Sequence, residues 1–291
     1  AGAPGNPLDQ AGAYAVTSDE LPAAKYPQFA SAGAGKYAGV VNPYGPYSGS
    51  YMAAAVHSNN AYDRLTRTVD LTSVTAAQAP ALKARLFWDT EPGYDNALVE
   101  ARTVGGEDWT TLPDKGGKSG TAVPAECGAG FYIAAHPWLK HYLTLTGNSC
   151  ANTGSSGAWN AFTGTSDGWQ PVEFDLSAYA GKKVELSFAY VSDPGSGGHG
   201  LFLDDTSLVV GGAATETEGF ETSLGAWQVG GPPAGSPPVL KNWARTGALF
   251  QTYGAVTTKD TVLLGFGLEH LTSAADRKAL IGKALASLER R

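Results

Sequence analysis

The chain has 291 residues, of which 38 are glycine and only 16% are Asp, Glu, Lys or Arg. The 20 basic and 27 acidic side chains give a formal net charge of −7, and there is no basic run. This balance disfavours nucleic acid and anionic membranes as partners. No apolar stretch approaches the roughly 20 residues that a bilayer crossing requires, so we predict no membrane span.

The N-terminal region, residues 1–38, is rich in Ala, Gly and Pro, with SDELPAAKYPQF as its one organised stretch. It lacks the basic-then-apolar order of a signal peptide. We expect it to form a linker and a strap along the domain that follows. The chain as a whole reads as a mature or excised piece of a protein.

Residues 39–212 carry the pattern of β-strands. Apolar side chains at Val184, Leu186, Phe188 and Tyr190 alternate with the residues between them, and this period of two is that of a half-buried strand. The same period runs from Leu65 to Val69, where Arg67 indicates that one end of the strand faces water.

Further short runs end in clusters of Gly, Pro, Asp and Ser, which favour turns. These runs are residues 84–88, 97–104, 171–176 and 200–210. Many short strands joined by turns predict a mostly β protein, an antiparallel jelly-roll sandwich of the galactose-binding-like kind.

The two cysteines, Cys127 and Cys150, lie in one glycine-rich excursion between strands. A disulfide would close a long loop and contribute about 3 kcal/mol by the chain-entropy estimate. The alternative is two reduced core cysteines, whereas a metal pair is disfavoured because no C-x-x-C spacing is present. A disulfide indicates an oxidising, extracellular location, so we expect a secreted protein.

The C-terminal segment, residues 213–291, departs from the β pattern. After a Gly/Pro linker at 230–238, an apolar run at 261–268 precedes Ser273 to Asp276, which begin a helix in the manner of a capping box. The apolar positions of that helix share one face: Leu280, Ile281, Ala284, Leu285 and Leu288. A single strand and a single helix must dock on something. Either they pack on the sandwich or, as we favour, they end an α/β domain whose other strands lie upstream of residue 1.

Paired carboxylates are the chemical candidates. Asp89, Glu91 and Asp95 follow one strand, and Asp204 and Asp205 are expected to end another. As oxygen donors they could hold a structural Ca²⁺. As an acid/base pair they could hydrolyse a glycosidic bond. The alternative, which we weight most, is that they cap turns and bind backbone amides.

Aromatic side chains are the candidates for ligand stacking. Tyr44, Tyr47 and Tyr51 lie in NPYGPYSGSY, and Trp159 and Trp169 flank a loop rich in Gly and Thr. They could stack on sugars or on an unfolded peptide. We favour the interpretation that they cover the edges of the sandwich core, and the sequence alone identifies no ligand-binding residue.

Three segments resemble the MAM-like module of the immune inhibitor A metallopeptidases: WDTEPGYDNALVEARTVGGEDWTTL, GWQPVEFDLSAYAGKKVELSFAYVSD and GHGLFLDDTSLV. The C-terminal regions of large secreted actinobacterial zinc carboxypeptidases are also similar, with counterparts of SDELPAAKYPQFAS, YDRLTRTVDL, HPWLKHY and TVLLGFGLEHL. This resemblance covers most of the chain. It implies an accessory region beside a peptidase domain, and it strengthens the calcium interpretation, since related modules often carry structural calcium.

The zinc chemistry of such a peptidase is not encoded in this chain. A zinc carboxypeptidase binds its metal through H-x-x-E and a distant histidine, and none of the five histidines stands three residues before a glutamate. His136 and His141 lie five residues apart, but we favour a structural role for them over a zinc site. Zinc would therefore belong to a catalytic domain outside this sequence.

We accordingly interpret the chain as a non-catalytic accessory region of a secreted zinc carboxypeptidase-like metallopeptidase, which stabilises the peptidase or presents substrate. Its expected partners are the catalytic domain of the same polypeptide and a glycan or protein substrate. The alternatives are a stand-alone carbohydrate or cell-surface binding module and a hydrolase that uses the strand-end carboxylates.

Overall fold

The computed structural model describes residues 15–17, 45–125, 127, 131–247, 253–257, 262–264, 267–268 and 273–289. The chain divides into two compact units, Pro46–Gly247 and a second one made of Ala1–Gly45 with Ala248–Arg291. The stretch SDELPAAKYPQF and Tyr44 lie outside the described residues.

The strands are numbered in chain order. They are β1 (Ala15–Thr17), β2 (Met52–Val56), β3 (Tyr62–Asp70), β4 (Ala81–Asp89), β5 (Asn96–Thr103), β6 (Thr110–Thr111), β7 (Thr144–Thr146), β8 (Ser149–Ala151), β9 (Gln170–Asp175), β10 (Lys183–Val191), β11 (Gly200–Val210), β12 (Ala213–Glu218), β13 (Gln228–Gly230), β14 (Ala244–Thr246), β15 (Tyr253–Thr257) and β16 (Val262–Leu264). The α-helices are α1 (Phe131–Ala135) and α2 (Ala274–Glu289), and short 3-10 helices span Ala76–Gln78, Pro137–His141 and Ser177–Tyr179.

The Pro46–Gly247 unit is built on two antiparallel sheets. One has the order β13-β3-β10-β5-β6, and the other has the order β14-β2-β11-β4-β9, with β12 also paired to β11. In the first sheet Phe188 of β10 lies between Leu65 and Val99. In the second sheet Leu203 of β11 lies between Ala53 and Leu86. This arrangement confirms the predicted mostly β, antiparallel sandwich.

The main core lies between the two sheets and follows the period of two along each strand. From β10 it takes Val184, Leu186, Phe188 and Tyr190, all fully buried, as the alternation predicts. Burial of each such large side chain contributes about 1.5–3 kcal/mol relative to exposure. Alternation along β10 therefore helps to fix its register, since a slip of one residue would move these four side chains out of the core between the sheets.

The sequence predicts that the sandwich ends at residue 212, but the unit continues to Gly247. β12, β13 and β14 pair with β11, β3 and β2, and Phe220, Trp227 and Trp243 join the main core. These short polar strands carry little alternation, so pairing with existing sheet edges places them. The bounds 39–212 are therefore replaced by Pro46–Gly247.

Arg67 is buried, contrary to the prediction that it marks a water-facing strand end. Its side chain points inward, is 6% exposed, and forms an ion pair with Glu216 of β12. Its guanidinium carbon lies 5.3 Å from the Trp227 ring centroid. An inward arginine is stable here because a carboxylate from the opposite sheet and an aromatic face both meet it.

A second core lies on the outer face of the five-stranded sheet. The insert between β6 and β9 covers this face, and its Trp159 and Tyr142 pack against Leu98 and Val191. The Cys127–Cys150 disulfide is present within this insert, which confirms the predicted pairing. The five-stranded sheet is thus buried on both faces.

In the second unit β1, β15 and β16 form an antiparallel sheet. β15 and β16 lie in the C-terminal segment, where the sequence predicts strands followed by a final helix, and β1 lies within the predicted linker. The helix prediction is confirmed, since α2 starts after Ser273, whose hydroxyl accepts a hydrogen bond of 3.0 Å from the Asp276 amide. Within the described residues no helix is long and apolar enough to cross a membrane.

Candidate functional site

The first acidic group lies in the β4–β5 connection, at one end of the sandwich. Asp95 is fully buried. Its Oδ2 accepts a hydrogen bond of 2.8 Å from the Tyr190 hydroxyl, and its Oδ1 accepts one of 3.2 Å from the Asp193 amide. Burial is the main cause of the raised pKa of Asp95, and these hydrogen bonds oppose that shift.

His57 completes a network with Asp95 and Tyr190. Its Nδ1 lies 2.7 Å from the Tyr190 hydroxyl oxygen and 3.4 Å from Asp95 Oδ2. Its Nε2 lies 3.1 Å from Asn59 Oδ1. Sequence reasoning missed His57, because β2 and β10 belong to different sheets and only the packing of the two sheets brings His57 to Tyr190.

Asp89 belongs to a separate pair at the same end. Its Oδ2 lies 2.5 Å from His199 Nδ1, in the glycine-rich segment that precedes β11. Gly198 in this segment approaches so closely that a Cβ there would lie 2.2 Å from the Asp89 carbonyl oxygen. The glycines therefore allow the loop to pack on the end of β4. The Glu91 carbonyl accepts hydrogen bonds from the amides of Tyr94 and Asp95 and from the Thr163 hydroxyl.

Asp204 and Asp205 do not end a strand, contrary to the prediction, because β11 continues to Val210. They lie where the pairing of β11 with β4 shifts register between Asp204 and Ser207. Asp205 has a left-handed φ of 44° within this bulge, and both carboxylates contact Ser48.

The Asp204 carboxylate fastens the loop before β2. Its Oδ2 accepts hydrogen bonds of 2.9 and 3.1 Å from the amides of Tyr47 and Ser48, and its Oδ1 accepts the amide of Asp205. Burial raises the pKa of Asp204 to about 6, while the amide hydrogen bonds lower it. Asp205 Oδ1 accepts a hydrogen bond of 2.9 Å from the Ser48 hydroxyl.

The five acids do not form one site. Gly200 of β11 is paired with Asp89 and Asp204 with Arg85, so the two groups lie about 13 Å apart along the sheet, at roughly 3.3 Å per residue. This separation exceeds that of a glycosidase carboxyl pair, at most about 9.5 Å. Within the ranges that the structure describes, no group of three or more His, Cys, Asp or Glu side chains is arranged to hold a metal ion. The donors do not fit a single calcium site.

His136 and His141 each have a structural hydrogen bond. His136 is buried, with its Nε2 3.0 Å from the Ser192 carbonyl oxygen, and burial lowers its pKa. His141 Nδ1 lies 2.8 Å from the Ser156 hydroxyl oxygen. Both bonds hold the insert in place, in agreement with the structural role that we favoured.

Asp63 is a buried carboxylate that sequence reasoning missed. It is fully buried beside Tyr190 in the β3–β10 ladder. Neither carboxylate oxygen has a hydrogen-bond partner among the described residues. Burial raises the pKa of Asp63 to about 7. An unpartnered buried carboxylate is costly when ionised. The raised pKa therefore places the titration of Asp63 close to neutral pH.

Of the described candidate aromatics, Trp159 is fully buried, and its Nε1 donates to the Ala122 carbonyl. Tyr47 and Tyr51 are 44% and 37% exposed. Tyr47 lies edge-on to Trp169, with ring centroids 6.3 Å apart. The core-covering interpretation holds for Trp159, whereas the two tyrosines are available at the surface.

The fold and these sites define an antiparallel β-sandwich module whose acids and histidines mainly hold loops together. Residues 133–232 match the family model described as "Immune inhibitor A-like, MAM domain". The chain is 47% identical over 74 residues to the pre-pro-metalloprotease PrtV of Vibrio cholerae serotype O1 (strain El Tor Inaba N16961). It is 38% identical over 71 residues to Immune inhibitor A of Bacillus thuringiensis subsp. alesti.

These matches confirm the resemblance to the immune inhibitor A-like MAM module. They cover 25% and 24% of this chain, but only 8% of PrtV and 10% of Immune inhibitor A. The chain thus corresponds to a small part of each relative. Within the sandwich unit, residues 133–232 are similar to the MAM domain of immune inhibitor A-like proteins.

Proposed function

We propose that this chain is a non-catalytic accessory region of a larger, secreted, zinc carboxypeptidase-like metallopeptidase. The observation that carries the proposal is the match of residues 133–232 to the MAM domain of immune inhibitor A-like proteins. One relative is named a metalloprotease, and the matched segment is a small fraction of its length. The carboxypeptidase assignment rests on the resemblance of the further segments, including HPWLKHY and TVLLGFGLEHL.

The architecture supports a stabilising or presenting role. The five-stranded sheet is covered on both faces, and the insert is closed by the Cys127–Cys150 disulfide. Such a module keeps its shape in an extracellular setting. The carboxylates of Asp95 and Asp204 serve internal hydrogen bonds, which leaves them poorly suited to acid/base chemistry.

The experiment compares the native full-length protein with a form that lacks 46–247. Hydrolysis of a short peptide from its C-terminus and of a large protein substrate is measured for both, together with the half-life at elevated temperature. A stabilising role predicts an unchanged initial kcat on the short peptide and a shorter half-life after deletion.

A presenting role predicts that deletion of 46–247 raises the KM for the protein substrate but not the KM for the short peptide. Hydrolysis of either substrate by the isolated 291-residue chain would contradict the proposal. So would a deletion form that matches the full-length protein in half-life and in both KM values.

A further inference from the structure

A groove of about 590 Å³ lies on the outer face of the six-stranded sheet. Its floor comes from outward-facing side chains of β4 and β9, with a wall from the turn at Lys115 and Gly116 and with Asp205 at the β11 bulge. Its volume falls in the range of ligand sites, about 300–1,000 Å³. It is distinct from the acidic end of the sandwich described above.

Three cations and three carboxylates line this groove. Two of the carboxylates, Asp114 and Asp205, already accept hydrogen bonds from the Glu173 amide and the Ser48 hydroxyl. The Glu173 carboxylate forms two ion pairs. Its Oε1 lies 2.6 Å from Lys115 Nζ, and its Oε2 lies 3.1 Å from Lys83 Nζ. The hydrogen bond from Lys115 is the main cause of the lowered pKa of Glu173. Two ammonium groups thus share one carboxylate, and hydrogen-bond donors remain directed to solvent because each ammonium has three.

Arg85 of β4 also lines the groove. Its guanidinium carbon lies 4.3 Å from the centroid of the exposed Tyr47 ring. Across the described residues no carboxylate lies within ion-pair distance of Arg85. The ring fixes a planar cation that has no anionic partner in the described region, and such a fork suits bidentate binding of a carboxylate.

The features around Arg85 indicate which carboxylate would bind. β4 is paired on both sides, by β11 and β9. The outer edge of β9 is already bonded at Glu173, whose amide donates to Asp114 Oδ1 and whose carbonyl accepts the Lys115 amide, so a peptide cannot bind here by adding a strand. The row of Lys83, Glu173 and Lys115 offers donors and an acceptor to neighbouring hydroxyls. Tyr47, which is 44% exposed, adds an apolar ring next to Arg85. We propose that this groove binds a saccharide that carries a carboxylate, such as a uronic acid unit.

The test is isothermal titration calorimetry of the 291-residue chain with tetragalacturonate at low salt, with cellotetraose as the neutral comparison. Binding of tetragalacturonate that weakens with salt, without binding of cellotetraose, is the expected result. Arg85→Gln should weaken it by about tenfold or more, because a charge-assisted bidentate contact is lost. Lys183→Gln removes one positive charge from β10, outside the groove, and should leave affinity within about twofold.

Arg85→Lys separates folding from recognition, since it keeps the charge and loses the planar fork. It should retain the wild-type melting temperature and still bind about tenfold more weakly. No binding by the wild-type chain, equal weakening in Arg85→Gln and Lys183→Gln, or equal binding of cellotetraose would overturn the proposal. Preferential binding of tetra-alanine, through its C-terminal carboxylate, would also overturn it. These outcomes do not depend on a parent peptidase.

Discussion

Arg64 Nε donates a hydrogen bond of 2.6 Å to Glu100 Oε2 beneath the disulfide-linked insert, where the Glu100 side chain is fully buried. The other oxygen of Glu100 accepts the hydroxyls of Tyr62 and Tyr142 at 2.7 and 2.9 Å. Since Tyr62 and Arg64 belong to β3 and Tyr142 to the insert, Glu100 joins the sheet to its cover. Burial is the main cause of the raised pKa values of both tyrosines, which keeps them protonated as donors.

Replacing Glu100 should therefore destabilise the unit strongly. Glu100→Gln leaves the Arg64 charge buried without a counter-charge, and we expect a loss of about 3 kcal/mol or more in the free energy of unfolding. The matched control is Glu185→Gln, since Glu185 pairs with Arg102 at a partly exposed position and should cost less than about 1 kcal/mol. Urea unfolding at neutral pH measures both. Equal losses would show that the buried network does not stabilise the insert.

Gly200 at the start of β11 lies so close to β2 that a side chain there would clash, and this steric cost can be measured separately from the cost of positive φ. A Cβ at Gly200, with φ of 116°, would lie 2.0 Å from the Ala55 carbonyl oxygen, whereas Gly168, with φ of 114°, has no atom within 4 Å. Both alanine variants incur the cost of positive φ, about 1–2 kcal/mol. Only Gly200→Ala must also displace β2, so its loss should exceed that of Gly168→Ala by about 2 kcal/mol or more. Thermal unfolding of the two variants decides this, and similar melting temperatures would rule out the close packing of β2 on β11.

The raised pKa of Asp63 predicts how the free energy of unfolding depends on pH, including the sign of the change. Its pKa is about 7 in the folded chain, against an ordinary value of 3.8, so between these pH values the folded state binds more protons than the unfolded state. The free energy of unfolding should fall as the pH rises from about 4 to 7, by up to roughly 4 kcal/mol from this group. Asp63→Asn should remove that fall and be more stable than the wild type at pH 8.

Asp70 is the control for this titration. It is exposed, and hydrogen bonds from Thr72 are the main cause of its lowered pKa, about 2. Its contribution is therefore present above the ordinary pKa and is lost as the pH falls toward 2, the opposite sign to Asp63. Asp70→Asn should leave the slope between pH 5 and 8 unchanged. A wild-type curve that is flat in that range would contradict the assignment to Asp63.

Much of the fold, and less of the site, could be predicted from the sequence. β10 and the two ends of β11 were predictable because Val184 to Tyr190 alternate and because GLFL and SLVV are strand-like runs on either side of the acidic pair. β2 was missed because its Met-Ala-Ala-Ala-Val run has no alternation and alanine has low strand propensity. β13 and β14, of three residues each, form only because edges of the sheets accept them.

The acids show where sequence reasoning stops. Asp204 and Asp205 follow a strand-like run and precede another, and only the register shift in β11 shows that they interrupt one strand rather than end it. Sequence spacing also could not separate them from Asp89 and Asp95, since the separation depends on pairing between β4 and β11. The partners His57 and Arg85 carry no motif, and long-range pairing alone gives them their neighbours.

The distance between the two acidic groups, near Asp89 and at Asp204, leads to a prediction for metal removal. Because Asp95 and Asp204 already accept internal hydrogen bonds, we expect the same melting temperature in EDTA and in CaCl₂. A calcium ion bound at 100 times its dissociation constant would add about 2.7 kcal/mol to the free energy of unfolding. A rise of that size in CaCl₂ that disappears in Asp205→Asn would contradict this expectation and place an ion at the β11 bulge.

The most direct test of the accessory role is the intact mass, N-terminal sequence and zinc content of the native protein. We expect one polypeptide much larger than 30.0 kDa, with stoichiometric zinc and an H-x-x-E segment outside this chain. A native product that begins near Ala1, has a mass of about 30 kDa and lacks zinc would contradict it.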